Sequence, residues 1–273
     1  MHEGLTDYLE IMRLAGVSEL KKERGNRVAQ SADIVPAVAS PPPCSSNAAP
    51  PALDQVEGRL RSEIQTEENN TVSLDPRLRE VDEKDNSKAG QLCRLAEEVT
   101  KCTLCRDLAE SRTQTVFGVG NPDSPLVFLG EAPGRDEDQQ GEPFVGRAGG
   151  LLNDIITKGM KLRREDVYIC NILRCRPPGN RNPMPDEAWH CRPFLDRTLE
   201  IIKPKFICCL GAIAAKNLLA SEQTIGAMRG KILDYNGIKV VCTYHPAYLL
   251  RNPAAKKDTW NDIQLLMREM EMM

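Results

Sequence analysis

Residues 126–134 read LVFLGEAPG, and this stretch decides the fold. Leu126–Leu129 is apolar throughout, contains a β-branched and an aromatic residue, and stops at a glycine. A strand with one wet face alternates polar and apolar residues, whereas a strand covered on both faces does not. Three further runs share the pattern: Val167–Cys170 (VYIC), Phe206–Leu210 (FICCL) and Val240–Thr243 (VVCT). Helical spacing fills the gaps. Gly150–Met160 carries Leu151, Leu152, Ile155 and Ile156, and Asp186–Ile202 carries Trp189, Leu195, Leu199 and Ile202. Ala212–Leu219 is shorter, Asp258–Met270 closes the chain, and Gln91–Cys102 leads into the first run. Doubly covered strands alternating with helices predict a three-layer α/β/α domain with a central four-stranded parallel sheet, spanning residues 89–273.

The sequence before it differs in kind. Residues 1–23 place Leu5, Leu9 and Met12 at helical spacing and predict a short amphipathic helix, a candidate docking element for a repair or replication protein. Residues 24–88, with PAVASPPPCSSNAAPP followed by charged stretches, predict a flexible, largely disordered linker. The formal net charge of −3 hides an asymmetry: the first hundred residues are acidic and the remainder mildly basic, which permits a nucleic-acid partner. MHEGLTDYLEIM lacks the basic and apolar run of a secretory signal. No stretch approaches the roughly 18 apolar residues of a membrane span. A soluble, monomeric protein of the prokaryotic cytoplasm, with no membrane partner, is the expectation.

In a parallel sheet, ligands gather at the carboxyl ends of the strands. Here the four runs lead into Gly130-Glu131-Ala132-Pro133-Gly134, Asn171-Ile172-Leu173-Arg174, Gly211-Ala212 and Tyr244-His245-Pro246. Together these segments would line one cleft. Of three histidines, His245 alone follows a buried strand at that edge, while His190 reads as a surface or packing residue on a helix. Cys102 and Cys105 form a C-x2-C pair. Cys175 and Cys191 flank a proline-rich loop able to bring them together. Four thiolates in a reducing compartment suit zinc or an iron–sulfur cluster, and spacing leaves both open. Cys170, Cys208, Cys209 and Cys242 fall in the strands and read as small hydrophobes.

Six segments in order carry a resemblance: CTLC at 102–105, RTQTVFGVGNP at 112–122, GEAPGRDED at 130–138, GEPFVGRAG at 141–149, NILRCRPPGNRNP at 171–183 and HPAYLLR at 245–251. They resemble the family 4 (iron–sulfur) uracil-DNA glycosylases, from about Cys102 to the C-terminal helix. The resemblance implies an enzyme that flips uracil out of single- or double-stranded DNA and hydrolyses its N-glycosidic bond. It also implies a [4Fe–4S] cluster on Cys102, Cys105, Cys175 and Cys191, with a structural role.

Residue by residue, the resemblance implies Phe144 as the ring on which uracil stacks and Asn171 as the reader of its Watson–Crick edge, one amide offering a donor and an acceptor. Glu137 is the expected wall against thymine's methyl, and backbone amides around Ala132–Gly134 are expected to line the pocket. His245 is the expected hydrogen-bond donor to uracil O2, and Glu131 the carboxylate serving the attacking water or the cationic sugar. Other branches carry the water-activating group at the place of Ala132, so activation must be arranged otherwise here. Arg174, with Arg176 and Arg181 on the same loop, is expected to bind DNA phosphate, as is Arg251, and Leu249 or Leu250 to fill the gap left in the stack. The competing readings are a covalent or a non-catalytic uracil-DNA-binding iron–sulfur protein. Residues 174–189 contain no histidine, which argues against the covalent reading, and the presence of Glu131, Asn171 and His245 argues against the non-catalytic one.

Overall fold

A computed structural model describes residues 86–272. The expected amphipathic helix at 1–23 and the linker, up to residue 85, lie outside the described residues.

Helix α1 (Lys88–Thr100) begins at Ser87, whose hydroxyl accepts from Gly90 N at 3.1 Å, an N-cap that satisfies one of the helix's free donors. A short α2 (Arg106–Ser111) follows. The remaining strands are β1 (Val119–Gly120), β2 (Leu126–Gly130), β3 (Tyr168–Asn171), β4 (Phe206–Leu210), β5 (Ile232–Tyr235) and β6 (Ile238–Thr243). The helices between and after them are α3 (Arg135–Gln140), α4 (Arg147–Asp154), α5 (Pro185–Ile202), α6 (Ala212–Leu219), α7 (Ile225–Met228), α8 (Pro246–Arg251) and α9 (Lys256–Glu269).

The strands form one sheet in the order β1-β3-β2-β4-β6-β5. Its four central strands are parallel and are the four apolar runs. The sheet has six strands rather than the expected four, because β1 and β5 add antiparallel edges. Every residue of β2, β3 and β4 is buried. Alternate side chains feed two cores. Val127 and Leu129 pack with Leu195 and Leu199 of α5 and Leu218 of α6. Leu126 and Phe128 pack with Leu152 of α4 and Ile263 and Leu266 of α9. Helices thus cover both faces, and each fully buried Leu or Phe contributes roughly 1.5–3 kcal/mol.

The register decides where the chemistry falls. Gly130 pairs with Asn171, and Leu210 with Thr243, so the parallel strands end level. The ladder runs on past β2 and β3, with Ile172 N donating to Gly130 O and Leu173 N to Glu131 O, both at 3.0 Å. Gly211 N donates to Thr243 O at 2.8 Å, closing the other side of the same edge.

Candidate active site

The edge brings three residues together around Gly130: Asn171, Phe144 and His245. Asn171 ends β3 and is 2% exposed. Its Oδ1 is buried and finds no hydrogen-bond donor among the described residues. A buried acceptor without a partner is costly, so such an atom points to a ligand that supplies the donor. Gly130 is the floor: a β-carbon there would lie 2.3 Å from Asn171 Oδ1 and 2.6 Å from Phe144 Cζ, so the amide and the ring edge meet over it.

Phe144 is held by its own loop. Its backbone adopts φ 56°, a left-handed conformation that costs a non-glycine residue of order 1–3 kcal/mol. Glu137 on α3 holds the loop in place. One carboxylate oxygen accepts from Val145 N and Gly146 N, and the other from Gly134 N, all at 3.1 Å. Arg164 donates to Pro143 O at 2.6 Å from the other side. Gly149 permits the close approach beneath, since a β-carbon there would lie 1.9 Å from Phe144 O.

His245 sits between β6 and α8, its ring centre 5.6 Å from that of Phe144 with planes tilted by 31°. Its Nδ1 accepts from Ala247 N at 3.1 Å, capping α8. An imidazole that accepts at Nδ1 carries its proton on Nε2 when neutral. Burial, with Arg251 adding to it, lowers its pKa to about 4. The ring is therefore neutral near pH 7, with an Nε2–H left to donate. Glu131 follows Gly130 at the same edge, and burial raises its carboxyl above the ordinary range.

The expected site residues do not all serve as foreseen. Arg174 is wholly buried and donates to the carbonyls of Phe117 and Asn171 and to Thr198 Oγ1. It braces the backbone behind Asn171 and cannot reach a phosphate. Leu249 is 1% exposed and belongs to the core, whereas its neighbour Leu250 is 40% exposed. Glu137 spends its carboxylate on the Phe144 loop and on the Gly134 amide, so the residue expected as the wall is itself held in one position. Ala132 packs against the cysteine cluster. Arg181 pairs with Glu187, whereas Arg176, among the described residues, donates only to the neutral amide of Asn180, at 2.7 Å, and keeps its charge for a phosphate. Arg251 is exposed at the end of α8.

Two residues escaped the sequence reading. Asp138 is 2% exposed and accepts from Thr113 N at 3.0 Å, tying α3 to the segment after α2. Arg112 donates to Cys175 Sγ at 3.0 Å, Cys102 O at 2.9 Å and Thr100 O at 3.2 Å. The available signal was their place inside RTQTVFGVGNP and GEAPGRDED, two of the segments already singled out.

Arg112 thus binds two of the four cysteine segments. Cys105 caps α2, Cys175 follows β3 and Cys191 lies in α5. Cys175 and Cys191 pack with Leu108 and Leu173, and Cys105 packs against them. Burial raises the Cys105 thiol to about 12, and the charges of Cys191, Glu187, Cys175 and Cys102 add to the rise, so the four sulfurs lie within electrostatic reach of one another. His190, read as a surface or packing residue, is part-buried with its Nδ1 3.5 Å from Cys105 Sγ. Among the described residues, no three His, Cys, Asp or Glu side chains close on a single point as one ion requires. Nor, among the described residues, is any helix long and apolar enough to cross a membrane.

An unpaired buried amide oxygen, an aromatic ring and a neutral histidine gathered at the carboxyl edge of a parallel sheet define a ligand-binding α/β protein. The profile of the uracil DNA glycosylase superfamily matches residues 117–264. The type-4 uracil-DNA glycosylase of Archaeoglobus fulgidus is 45% identical over 178 residues, covering 62% of this chain and 88% of that protein. That of Thermotoga maritima is 48% identical over 160 residues, covering 58% and 82%. A type-5 uracil-DNA glycosylase of Pyrobaculum aerophilum is 27% identical over 146 residues, covering 48% and 64%. The chain belongs to the uracil DNA glycosylase superfamily.

Proposed function

We propose that this chain is a DNA-repair uracil-DNA glycosylase: it extrudes uracil from DNA, hydrolyses the N-glycosidic bond, and leaves free uracil and an abasic site. The observation that carries the reading is the buried, donor-less Oδ1 of Asn171 against the edge of Phe144.

A base inside a duplex is out of reach, so it must leave the stack and enter the pocket. Phe144 supplies the apolar plane it lies on. Asn171 Oδ1 accepts from uracil N3–H while its Nδ2 donates to O4. Cytosine presents an acceptor at N3 and a donor at C4, so both contacts would turn repulsive. A site that leaves its polar atoms unpaired rejects a wrong ligand by large factors. As the glycosidic bond breaks, negative charge gathers on uracil O2, and the neutral His245 donates its Nε2–H to it. Ionised Glu131 orients the attacking water and offsets the positive charge of the sugar. Leu250 fills the space vacated in the stack, and Arg251 meets a phosphate.

The donor set of Cys102, Cys105, Cys175 and Cys191 fits a [4Fe–4S] cluster, with Arg112 and His190 placed to donate to its thiolates. When bound, the cluster supplies a cross-link: it fastens the segment before β1 to the loop after β3 and to α5. The base-handling steps belong to the protein's own side chains.

Incubation with uracil-containing and matched thymine-containing oligonucleotides, followed by alkali, tests the reading. Cleavage at uracil alone is expected, and Asn171→Asp is expected to remove roughly two orders of magnitude of rate while iron content stays unchanged. No cleavage at uracil by protein with full iron content would overturn it.

A further inference from the structure

The turn that carries His245 is fastened from a direction that has no contact with the base pocket. Thr243, the last residue of β6, is fully buried, and its Oγ1 donates to Asp262 Oδ2 at 2.8 Å. Asp262, on α9, is also fully buried. The same carboxylate oxygen accepts from Arg229 Nε at 3.0 Å, and the other accepts from Gly230 N at 3.0 Å. A further Arg229 nitrogen donates to Asp258 O at 2.6 Å. The Arg229 guanidinium then lies 5.1 Å from the centre of the Tyr244 ring, and Tyr244 stacks on Tyr248 of α8 at 5.0 Å. The residue directly before His245 and the one before that are thus both held, the first by a cation–π contact and the second by a buried hydrogen bond. Beyond His245, the stacked Tyr248 ties α8 to the same assembly.

Cohesion alone does not call for this arrangement. A fully buried carboxylate is costly even when paired, and apolar residues of similar size commonly serve stability as well or better. What a fully bonded polar network adds is a single geometry for the groups attached to it. Here the attached group is the backbone that aims His245. We propose that Asp262 and Arg229, acting through Thr243 and Tyr244, are positioning residues for His245. They set the direction of its Nε2–H toward the departing base. The inference rests on the reading of His245 as the donor to uracil O2.

The test uses the full-length protein under single-turnover conditions, on oligonucleotides carrying either uracil or 5-fluorouracil. The fluorinated base is the more stable anion, so its release depends less on a donor at O2. Arg229→Ala and Tyr244→Leu are each expected to slow uracil release by roughly 10- to 100-fold, the scale of a misaimed catalytic group. The loss should be several-fold smaller on 5-fluorouracil, and DNA affinity should hold. Tyr244→Phe, which keeps the ring under the guanidinium, should restore the wild-type rate. In a His245→Ala background, neither variant should slow the reaction further, because the interaction they serve is already gone. Arg229→Ala leaves Asp262 buried without its cation and risks misfolding, whereas Tyr244→Leu leaves that pair intact and carries the test alone. Equal losses on both bases that multiply with the His245→Ala loss would reduce the network to simple cohesion. So would wild-type rates in Tyr244→Leu. If His245→Ala itself proves as fast as wild type, the reading of His245 fails, and the inference fails with it.

Discussion

Gly130 offers the most direct test of the pocket's geometry. It ends β2 at a position where any side chain would project into the space meant for the base. A β-carbon would lie 2.3 Å from Asn171 Oδ1 and 2.6 Å from Phe144 Cζ, where ordinary contact begins near 3.4 Å. Amide and ring would have to retreat by about 1 Å to reach normal packing distance. Neither has room. Asn171 is buried, and the Phe144 backbone rests on Gly149. A shift of about 1 Å in groups that orient a reacting ligand costs roughly 100-fold in rate, or about 2.7 kcal/mol of barrier. Gly130 has no left-handed backbone, so alanine is tolerated conformationally, and overpacking should cost only about 1–3 kcal/mol of stability. Gly130→Ala should therefore yield folded, iron-containing protein with uracil release slowed about a hundredfold. Single-turnover cleavage of a labelled uracil oligonucleotide, alongside thermal unfolding, measures both. A folded Gly130→Ala protein within threefold of the wild-type rate would refute the placement of the base over this strand end.

Other consequences can be measured alongside. Burial keeps Glu131 protonated to a higher pH than an ordinary carboxylic acid, and its ionised form is the working one. Activity should thus be present above that raised value and be lost as the pH falls through it, while His245 stays neutral down to about 4 and adds no limb above that. The acid limb of kcat/KM should vanish in Glu131→Gln, and its disappearance in a His245 variant instead would reverse the assignment. Arg174→Met strands the two carbonyls and the hydroxyl that Arg174 serves, so stability should fall by about 2–4 kcal/mol with the salt dependence of DNA binding unchanged. Arg251→Ala should do the reverse, lowering the salt slope by about 1 with the melting temperature unmoved; equal salt slopes for both variants would return Arg174 to the DNA surface. Cys175→Ala should cost the protein its iron, its visible absorbance and much of its solubility, and recovery with full iron would remove Cys175 from the ligand set.

The sheet's centre was legible because strands buried on both faces leave a pattern that nothing else in the chain imitates. Phe206–Leu210 has the boundaries read from its apolar residues alone, and the helix Ala212–Leu219 likewise. The edge strands were missed for the opposite reason. Val119–Gly120 is too short to show a pattern, and Ile232–Tyr235 is mostly half-exposed and carries an aspartate. A turn signal was nevertheless present: Asn236-Gly237 joins β5 to β6 with φ of 51° and 82°, the conformation that two-residue hairpins demand. Among the site residues, those at strand ends could be placed from sequence, because strand ends locate them. Arg174 and Leu249 could not. Whether a side chain beside a cleft turns into the core or out of it depends on partners remote in sequence, Phe117 and Thr198 for Arg174. The loop-holding bonds of Glu137 met the same difficulty, since its partners at Val145 and Gly146 become visible only once the loop is folded back over α3.

The loop that presents Phe144 is fixed by Glu137, Arg164 and the close contact at Gly149, all independent of DNA. Its wall therefore keeps its shape when the pocket is empty, and an incoming base meets no entropic toll for ordering it. A receptor prepared in this way does not distinguish a base still joined to its sugar from one already cut loose. Free uracil should occupy the same seat, so accumulated product competes with the next lesion. The stiffness that speeds recognition also sets a concentration of released base above which turnover slows.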